Sequence, residues 1–539
     1  LPDVGSLVAG ARREFEAGNP FTAELFYRQV LKATEPVKNG TDRVARGEAA
    51  MFFALRALAR SHVGESGDWY KVALSADPRA SNYRADFVSK VLLPLGMMKV
   101  ARQEAERAVK IDPEEPKAWL ALGMVQYEEG DGDASRVSRT KALSLRPGDP
   151  YLMLELARVE LDTGRYDAVT RLCDVIMTEH PERTGDALYF LAMVAYREGR
   201  HQDAIDLYNR VLETECSDPL SIKLNRALPL HSLGRYAEGW ADYETRGETN
   251  EIHAVPFRRF EAPVWRGQPA PASIHLHEEM GYGDTLAMAR YAPLLASMGY
   301  DVRLEVRDEL IDLFARSFPG VTVLPRAVDF PGGLGIPRFD YHLPLLSCPH
   351  SFGTTVETVP WSGPYLRADP EKAARYDALL PRGLRVGLSW SSGIRAGIWL
   401  GEYGRRKSVK LEQLKPIWEY GPEVFVSLQM GPEVAEADGL PQIVSPLTPD
   451  STWDDTAALV SCLDLVVTVD TAVAHLTGAL GKPMKVLMHT EGSWHWMADV
   501  EGTPWQKASP WYPTARLYRQ RRPHEWDEVV AEVAGDLRA

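Results

Sequence analysis

Cysteine is scarce. Cys173, Cys216, Cys348 and Cys462 lie far apart in 539 residues, and no two form a Cys-x-x-Cys pair. That argues against structural zinc and a disulfide framework, and it fits a reducing compartment. Long apolar runs are also missing. No stretch reaches the roughly 18 apolar residues of a membrane-spanning helix. The most apolar region, Ala457 to Leu480, is broken by Asp464, Asp470 and His475. The first residues, Leu1-Pro2-Asp3, show no basic segment leading into an apolar one, so no secretory signal is expected and a cytoplasmic location is. Positive charge is in deficit: 61 Lys and Arg against 75 Asp and Glu leave a net −14. A chain this acidic is a poor generic binder of nucleic acid or anionic membrane, so any anion site must rest on a local basic cluster. With 45% hydrophobic and 25% charged residues it is neither a disordered chain nor a collagen.

What is present is unevenly distributed. Of 14 tryptophans, 12 lie at or after Trp240, so the two halves are built differently. In the first half Gly96, Gly130, Gly164, Gly199 and Gly234 recur at intervals of 34, 34, 35 and 35 residues. Pro78, Pro113, Pro147 and Pro181 recur at 35, 34 and 34. Each glycine falls between two helical patterns, and each proline follows the second helix. Glycine supplies the turn conformation and proline stops the helix. This period resembles the tetratricopeptide repeat, and the repeat holding Trp119, Leu122, Gly123, Ala142 and Pro147 fits it well. Agreement is poorer before residue 78. Such repeats stack into a solenoid with a concave binding face; a spacing or dimerisation device is the alternative. Asp131-Gly-Asp133, the one Asp-x-Asp in the chain, falls in a repeat turn and reads as a solvated loop.

After Pro263-Val-Trp265 the period changes. Ser273 to His277, Val302 to Val306, Val321 to Leu324, Arg385 to Trp390, Val424 to Leu428, Leu463 to Val469 and Met484 to Met488 read as strands. Helical patterns intervene, as in Leu286 to Met298 and Val473 to Leu480. The alternation predicts parallel sheets with crossover helices. The chain divides into a repeat domain over 1–250 and two α/β domains over 255–380 and 381–539. Two such domains facing each other make a cleft, with ligands outside the carboxyl ends of the strands.

Candidate residues fall at those ends. Gly281 and Gly283 flank Tyr282 after the first strand, where a tight turn lets backbone approach a ligand. Asp284 has two readings: a helix N-cap, or a general base for an acceptor hydroxyl. A helix N-terminus keeps a carboxylate ionised and makes it a weaker base. Asp470, Thr471 and Ala472 open a helix after an apolar strand. They read as caps or as a phosphate site built on free N–H groups. His475, one turn in, reads as a packed core residue or a ligand contact. Arg395, Arg405, Arg406, Lys407 and Lys410 form a basic cluster, either a solvated loop or a diphosphate contact.

These residues carry a family resemblance. The run from Gly281 to Tyr291 resembles the donor-cleft entry of bacterial tetratricopeptide-repeat glycosyltransferases. Those enzymes are similar to the heptosyltransferases of lipopolysaccharide synthesis and, more distantly, to O-GlcNAc transferase. Further matches are Gly234 to Trp240 with Tyr243 and Arg246, Pro263-Val-Trp265 with Gly267, and Ser427-Leu-Gln429. Asp470-Thr-Ala-Val-Ala-His-Leu476 with Gly478 to Pro483, and Trp511 to Gln520, also match. A flagellin glycosyltransferase has the same layout. The resemblance implies a GT-B fold and an inverting transfer that needs no metal or other cofactor. It implies Asp284 as base, Asp470, Thr471 and Ala472 on donor phosphate and sugar, and Lys407 with Arg405 near the phosphates. Gln429 stands for the strand end that meets the nucleoside. The chain departs from the family at Trp390-Ser-Ser-Gly-Ile-Arg395, at Tyr403 to Ser408 and at Glu278-Glu-Met-Gly281, which leaves the sugar open.

Two classes of function follow. One is a cytoplasmic glycosyltransferase acting on Ser/Thr hydroxyls of a protein gripped by the repeats, with flagellin as the acceptor the resemblance suggests. The other is a repeat adaptor with a degenerate transferase fold. A lipid or saccharide acceptor is the variant within the enzyme class, and solenoids more often grip polypeptide.

Overall fold

The computed structural model describes residues 3–17, 19–35, 40–59, 62–215, 218–249, 258, 260–326, 338–393, 398–419, 424–498 and 506–538. Cys216 and Arg395 lie outside them. The chain forms two compact units, Leu1–Arg183 with Ala396–Trp399, and Thr184–Arg395 with Leu400–Ala539.

The first unit is a stack of antiparallel helix pairs. All five periodic glycines of the chain adopt positive φ, from 67° at Gly96 to 88° at Gly130, which a residue with a Cβ resists. The helices Met98–Ile111, Gly132–Leu145 and Tyr166–Glu179 each end two residues before a periodic proline. Gly123 is needed inside its helix as well, because a Cβ there would stand 2.8 Å from Arg139. Asp131 caps the helix Gly132–Leu145 by accepting from the Ala134 amide at 2.9 Å.

The second unit opens with two more helix pairs, α1 (Thr184–Arg197) with α2 (His201–Leu212) and α3 (Pro219–Ser232) with α4 (Tyr236–Tyr243). Two parallel sheets follow. The first has the order β3-β2-β1-β4, from β1 (Ser273–His277), β2 (Asp301–Val306), β3 (Thr322–Pro325) and β4 (Tyr341–Pro344). The second has the order β10-β9-β8-β5-β6-β7. It is built from β5 (Arg385–Ser389), β6 (Val424–Ser427), β7 (Ile443–Val444), β8 (Leu465–Val469), β9 (Met484–Met488) and β10 (Ala515–Arg519). Repeats followed by parallel sheets are the expected order.

The helix expected over 286–298 is two helices, α5 (Tyr282–Met288) and α6 (Tyr291–Ser297). Pro293 has no N–H to give the Ala289 carbonyl, and its ring crowds that carbonyl. The break places Arg290 in the interior. Its guanidinium donates to the carbonyls of Ala287 and Trp511 at 2.8 and 2.9 Å and to the Tyr365 hydroxyl at 3.1 Å.

The last repeats are joined to the sheets by aromatic packing and a buried ion pair. Trp240, 2% exposed, packs with Tyr236, Trp494 and Trp511 and donates to the Thr354 carbonyl at 3.0 Å. Arg246, just after α4, makes a two-pronged bond to Glu279, with Nε to Oε1 at 3.2 Å and Nη2 to Oε2 at 3.0 Å.

Candidate functional site

The site is assembled at carboxyl ends of strands from both sheets. After β1 the chain turns at Gly281 into α5, and after β8 it turns at Thr471 into α8 (Ala472–Ala479). These two helices pack directly on each other. A Cβ on Gly283 would stand 2.8 Å from the His475 ring and 3.5 Å from Ala472 Cα, so the absence of a side chain sets this approach. The basic stretch is the last turn of a helix, α7 (Ile398–Lys407), where sequence suggested a loop. Cations there meet the negative end of the helix dipole. The chain leaving α7 is tied to the end of β5, because the Val409 amide donates to the Trp390 carbonyl at 2.9 Å.

Asp470 does not cap α8. Its Oδ1 accepts from Trp496 Nε1 at 2.7 Å, and its Oδ2 pairs with Lys407 Nζ at 3.2 Å. Burial pushes this carboxyl up, but Lys407 first, then His475 and His489, with the Trp496 hydrogen bond last, outweigh burial and hold it below the ordinary value. Burial disfavours the Lys407 ammonium, and Asp470 outweighs that and raises it. Lys407 also lies 4.8 Å from the centroid of the Tyr403 ring. Capping falls to Thr471, whose Oγ1 accepts from the Val473 amide at 3.2 Å. That bond removes Val473 from the N–H groups open to a phosphate.

Asp284 is the third residue of α5, and Gly281 is its N-cap. The carboxylate reaches back, with Oδ2 accepting from the Gly281 amide at 3.1 Å. Among the described residues Oδ1 makes no hydrogen bond. Asp284 feels both Lys407 and Asp470, and burial raises its pKa above the ordinary value. The helix N-terminus suggested a weaker base; burial and the Asp470 charge reverse that sign, outweighing the Gly281 amide and Lys407.

Other candidates are engaged within the protein. His475 is 4% exposed, bonds Tyr512 through Nδ1 at 3.1 Å and stacks on Trp496. Burial lowers its pKa to about 4, so it is a neutral packed ring. Gln429 is a brace: its Oε1 accepts from the Trp390 and Ser391 amides at 3.1 and 2.9 Å, and its Nε2 donates to the Ser391 and Met430 carbonyls. Arg405 and Lys410 are exposed, whereas Arg406 between them is buried. In the sequence Arg406 is one cation of five, and no motif singles out Trp496, His489 or Glu491. The signal available for the last three was position, since His489 and Glu491 follow directly on β9 and Trp496 stands a few residues beyond.

Residues 178–219 match the tetratricopeptide-repeat family model. The chain is 28% identical over 516 residues to Protein FlbA of Caulobacter vibrioides, covering 91% of this chain and 75% of that protein. It is also similar to a tetratricopeptide repeat protein of Parabacteroides merdae, at 15% identity, 46% of this chain, 94% of the other and a TM-score of 0.38. A thermophilic repeat protein of Thermus thermophilus gives 17%, 34%, 98% and 0.31. This chain carries tetratricopeptide repeats followed by parallel sheets, and its likeness to FlbA runs through both parts.

Proposed function

We propose that the chain is an inverting, metal-independent glycosyltransferase. It moves a sugar from a nucleotide-sugar to Ser or Thr hydroxyls of a protein held by the repeats. The sheets form a GT-B pair, with the acceptor side on β1–β4 and the donor side on β5–β10. The observation that carries this reading is the convergence of Asp284, Lys407, Asp470 and the Thr471 helix start at strand carboxyl ends of both sheets. In the reaction the acceptor oxygen attacks the anomeric carbon on the face opposite the nucleotide. Asp284, raised above the ordinary carboxyl value, takes the hydroxyl proton. Lys407 and the amides at Thr471 and Ala472 stabilise charge on the departing phosphate. Asp470 holds Lys407 in place. Flagellin is the acceptor suggested by the sequence resemblance, and a cytoplasmic location goes with it.

Two observations favour a second reading. Lys407 is already neutralised by Asp470, and α5 rests on α8 through Gly283, so a repeat adaptor with a silent transferase fold also accounts for this interior. Turnover of a sugar-nucleotide by the purified chain separates the two, because a silent transferase fold can still bind a nucleotide. A thermal-shift panel of UDP-, GDP-, ADP-, dTDP- and CMP-sugars selects the donor to use, a cognate one at 100 times its Kd adding about 2.7 kcal/mol of stability.

The repeats' role is tested by deleting residues 1–183, the N-terminal stretch of the first compact unit. We expect this variant to keep donor binding and to lose at least tenfold in protein modification. Modification at the full-length rate would make the first unit a spacer.

A further inference from the structure

The turn that ends α1 in the repeats touches the loop behind the donor-side cation. Thr490 Oγ1 donates to the Arg197 carbonyl at 2.7 Å, and the Tyr196 hydroxyl donates to the Gly492 carbonyl at 3.4 Å. Gly199, the periodic turn glycine at φ 78°, lies close enough that a Cβ would stand 3.4 Å from the Thr490 carbonyl oxygen. Residues 490–492 follow almost directly on β9, whose neighbour β8 ends at Val469, one residue before Asp470. Between the two repeat contacts, Glu491 turns inward. Its Oε1 accepts from Arg406 Nε at 2.7 Å, with Glu491 6% and Arg406 4% exposed. Arg406 directly precedes Lys407 in the last turn of α7. A buried ion pair is costly to break, because a guanidinium that loses its carboxylate there has no water to replace it. His489 completes the contact on the other side, 4.0 Å from Asp470 and edge-on to the Tyr403 ring that Lys407 covers.

We propose that the α1–α2 turn is a support of the donor site. Thr490 clamps the loop to the repeat, Glu491 fixes Arg406, and Arg406 sets the end of α7 so that Lys407 stands against Asp470. Thr490, Glu491 and Arg406 are positioning residues, acting on the donor through Lys407. The inference rests on the donor-site reading above. It also makes the repeats part of the site's own geometry: whatever moves the end of α1 moves the cation that meets the donor phosphate.

The test uses the full chain and the nucleotide-sugar from the panel that it binds most tightly. Thr490→Val keeps shape and removes the hydroxyl donor, and Thr490→Ser restores it. We expect Thr490→Val to raise donor KM five- to twentyfold with kcat within twofold, and to speed hydrogen exchange in the peptide that holds Lys407. Thr490→Ser should return both to the wild-type values. Glu491→Gln should raise KM further. It removes a buried charge and can unfold the chain, so the Thr490 pair carries the decision. If Thr490→Val matches the wild type in KM, the support role is overturned while the donor site stands. A joint loss of kcat, KM and thermal midpoint that serine does not rescue is a folding defect and also overturns it. A wild-type chain that binds no member of the panel overturns the donor reading and this role together.

Discussion

Lys407 and Asp284 show how neighbours set the chemistry of single residues. Both are charged groups in crowded surroundings, and burial works against the charge of each. Lys407 has a carboxylate at 3.2 Å and stays protonated. Asp284 has the Gly281 amide at 3.1 Å and the more distant Lys407 charge, and burial with the Asp470 charge still raises its pKa, which makes its carboxylate the stronger base that the proposed reaction calls for. Replacing Lys407 by Ala removes the donor-side cation and strands Asp470 beside Trp496. A charge-assisted contact is worth about 1.5–3 kcal/mol, so donor affinity should fall at least tenfold in calorimetry. Thr471→Val, which removes a cap and a hydroxyl, should weaken binding in the same direction. Affinity unchanged in both variants would move the donor elsewhere.

At the scale of elements, α5, which follows β1, packs on α8, which follows β8. Gly283→Ala tests it. In an ordinary helix this change gains stability, because alanine is the better helix former. Here the new methyl meets the His475 ring at 2.8 Å, and that ring is pinned between Tyr512 and Trp496. Overpacking of this kind costs about 1–3 kcal/mol, so the thermal midpoint should drop. A rise would show that the helices part easily. Much of this level was legible in the sequence. The periodic glycines and prolines marked the repeat turns, and β1 and β9 fall on the expected residues, because period-34 punctuation and short β-rich runs are local signals. The short β4 and β7 were missed, being four and two residues long. β10 was missed because Arg516 and Arg519 break its apolar character, as befits the edge of a sheet. The pairings Arg406–Glu491 and Asp470–Trp496 join residues 85 and 26 positions apart, and no local pattern announces them.

For the molecule as a whole, the second unit buries an unusual number of neutral histidines. Burial lowers His201, His342, His475 and His489 to about 4 and His231 to about 3, from an ordinary 6.5. The unfolded chain therefore binds more protons than the folded one between pH 6.5 and about 4. Stability is complete above pH 6.5 and lost as pH falls through that window, by up to about 1.4 kcal/mol per pH unit for each ring. Thermal midpoints should fall steeply from pH 6.5 to 4.5, and a flat profile would contradict the burial of these rings. The same interior fuses α3 and α4 to the sheets through Trp240, His231 and Trp494, so the last repeats belong to the same compact unit as the proposed transferase.

The most direct test of the account is transfer by Asp284→Asn. Asparagine keeps the helix-start geometry but cannot accept the hydroxyl proton. The wild-type chain, given a nucleotide-sugar and a protein acceptor, should release nucleotide and add the sugar's mass to the acceptor. The variant should bind the donor with unchanged affinity and transfer about 10²–10⁴-fold more slowly. Transfer by Asp284→Asn at the wild-type rate would leave Asp284 a helix-start brace and contradict the account.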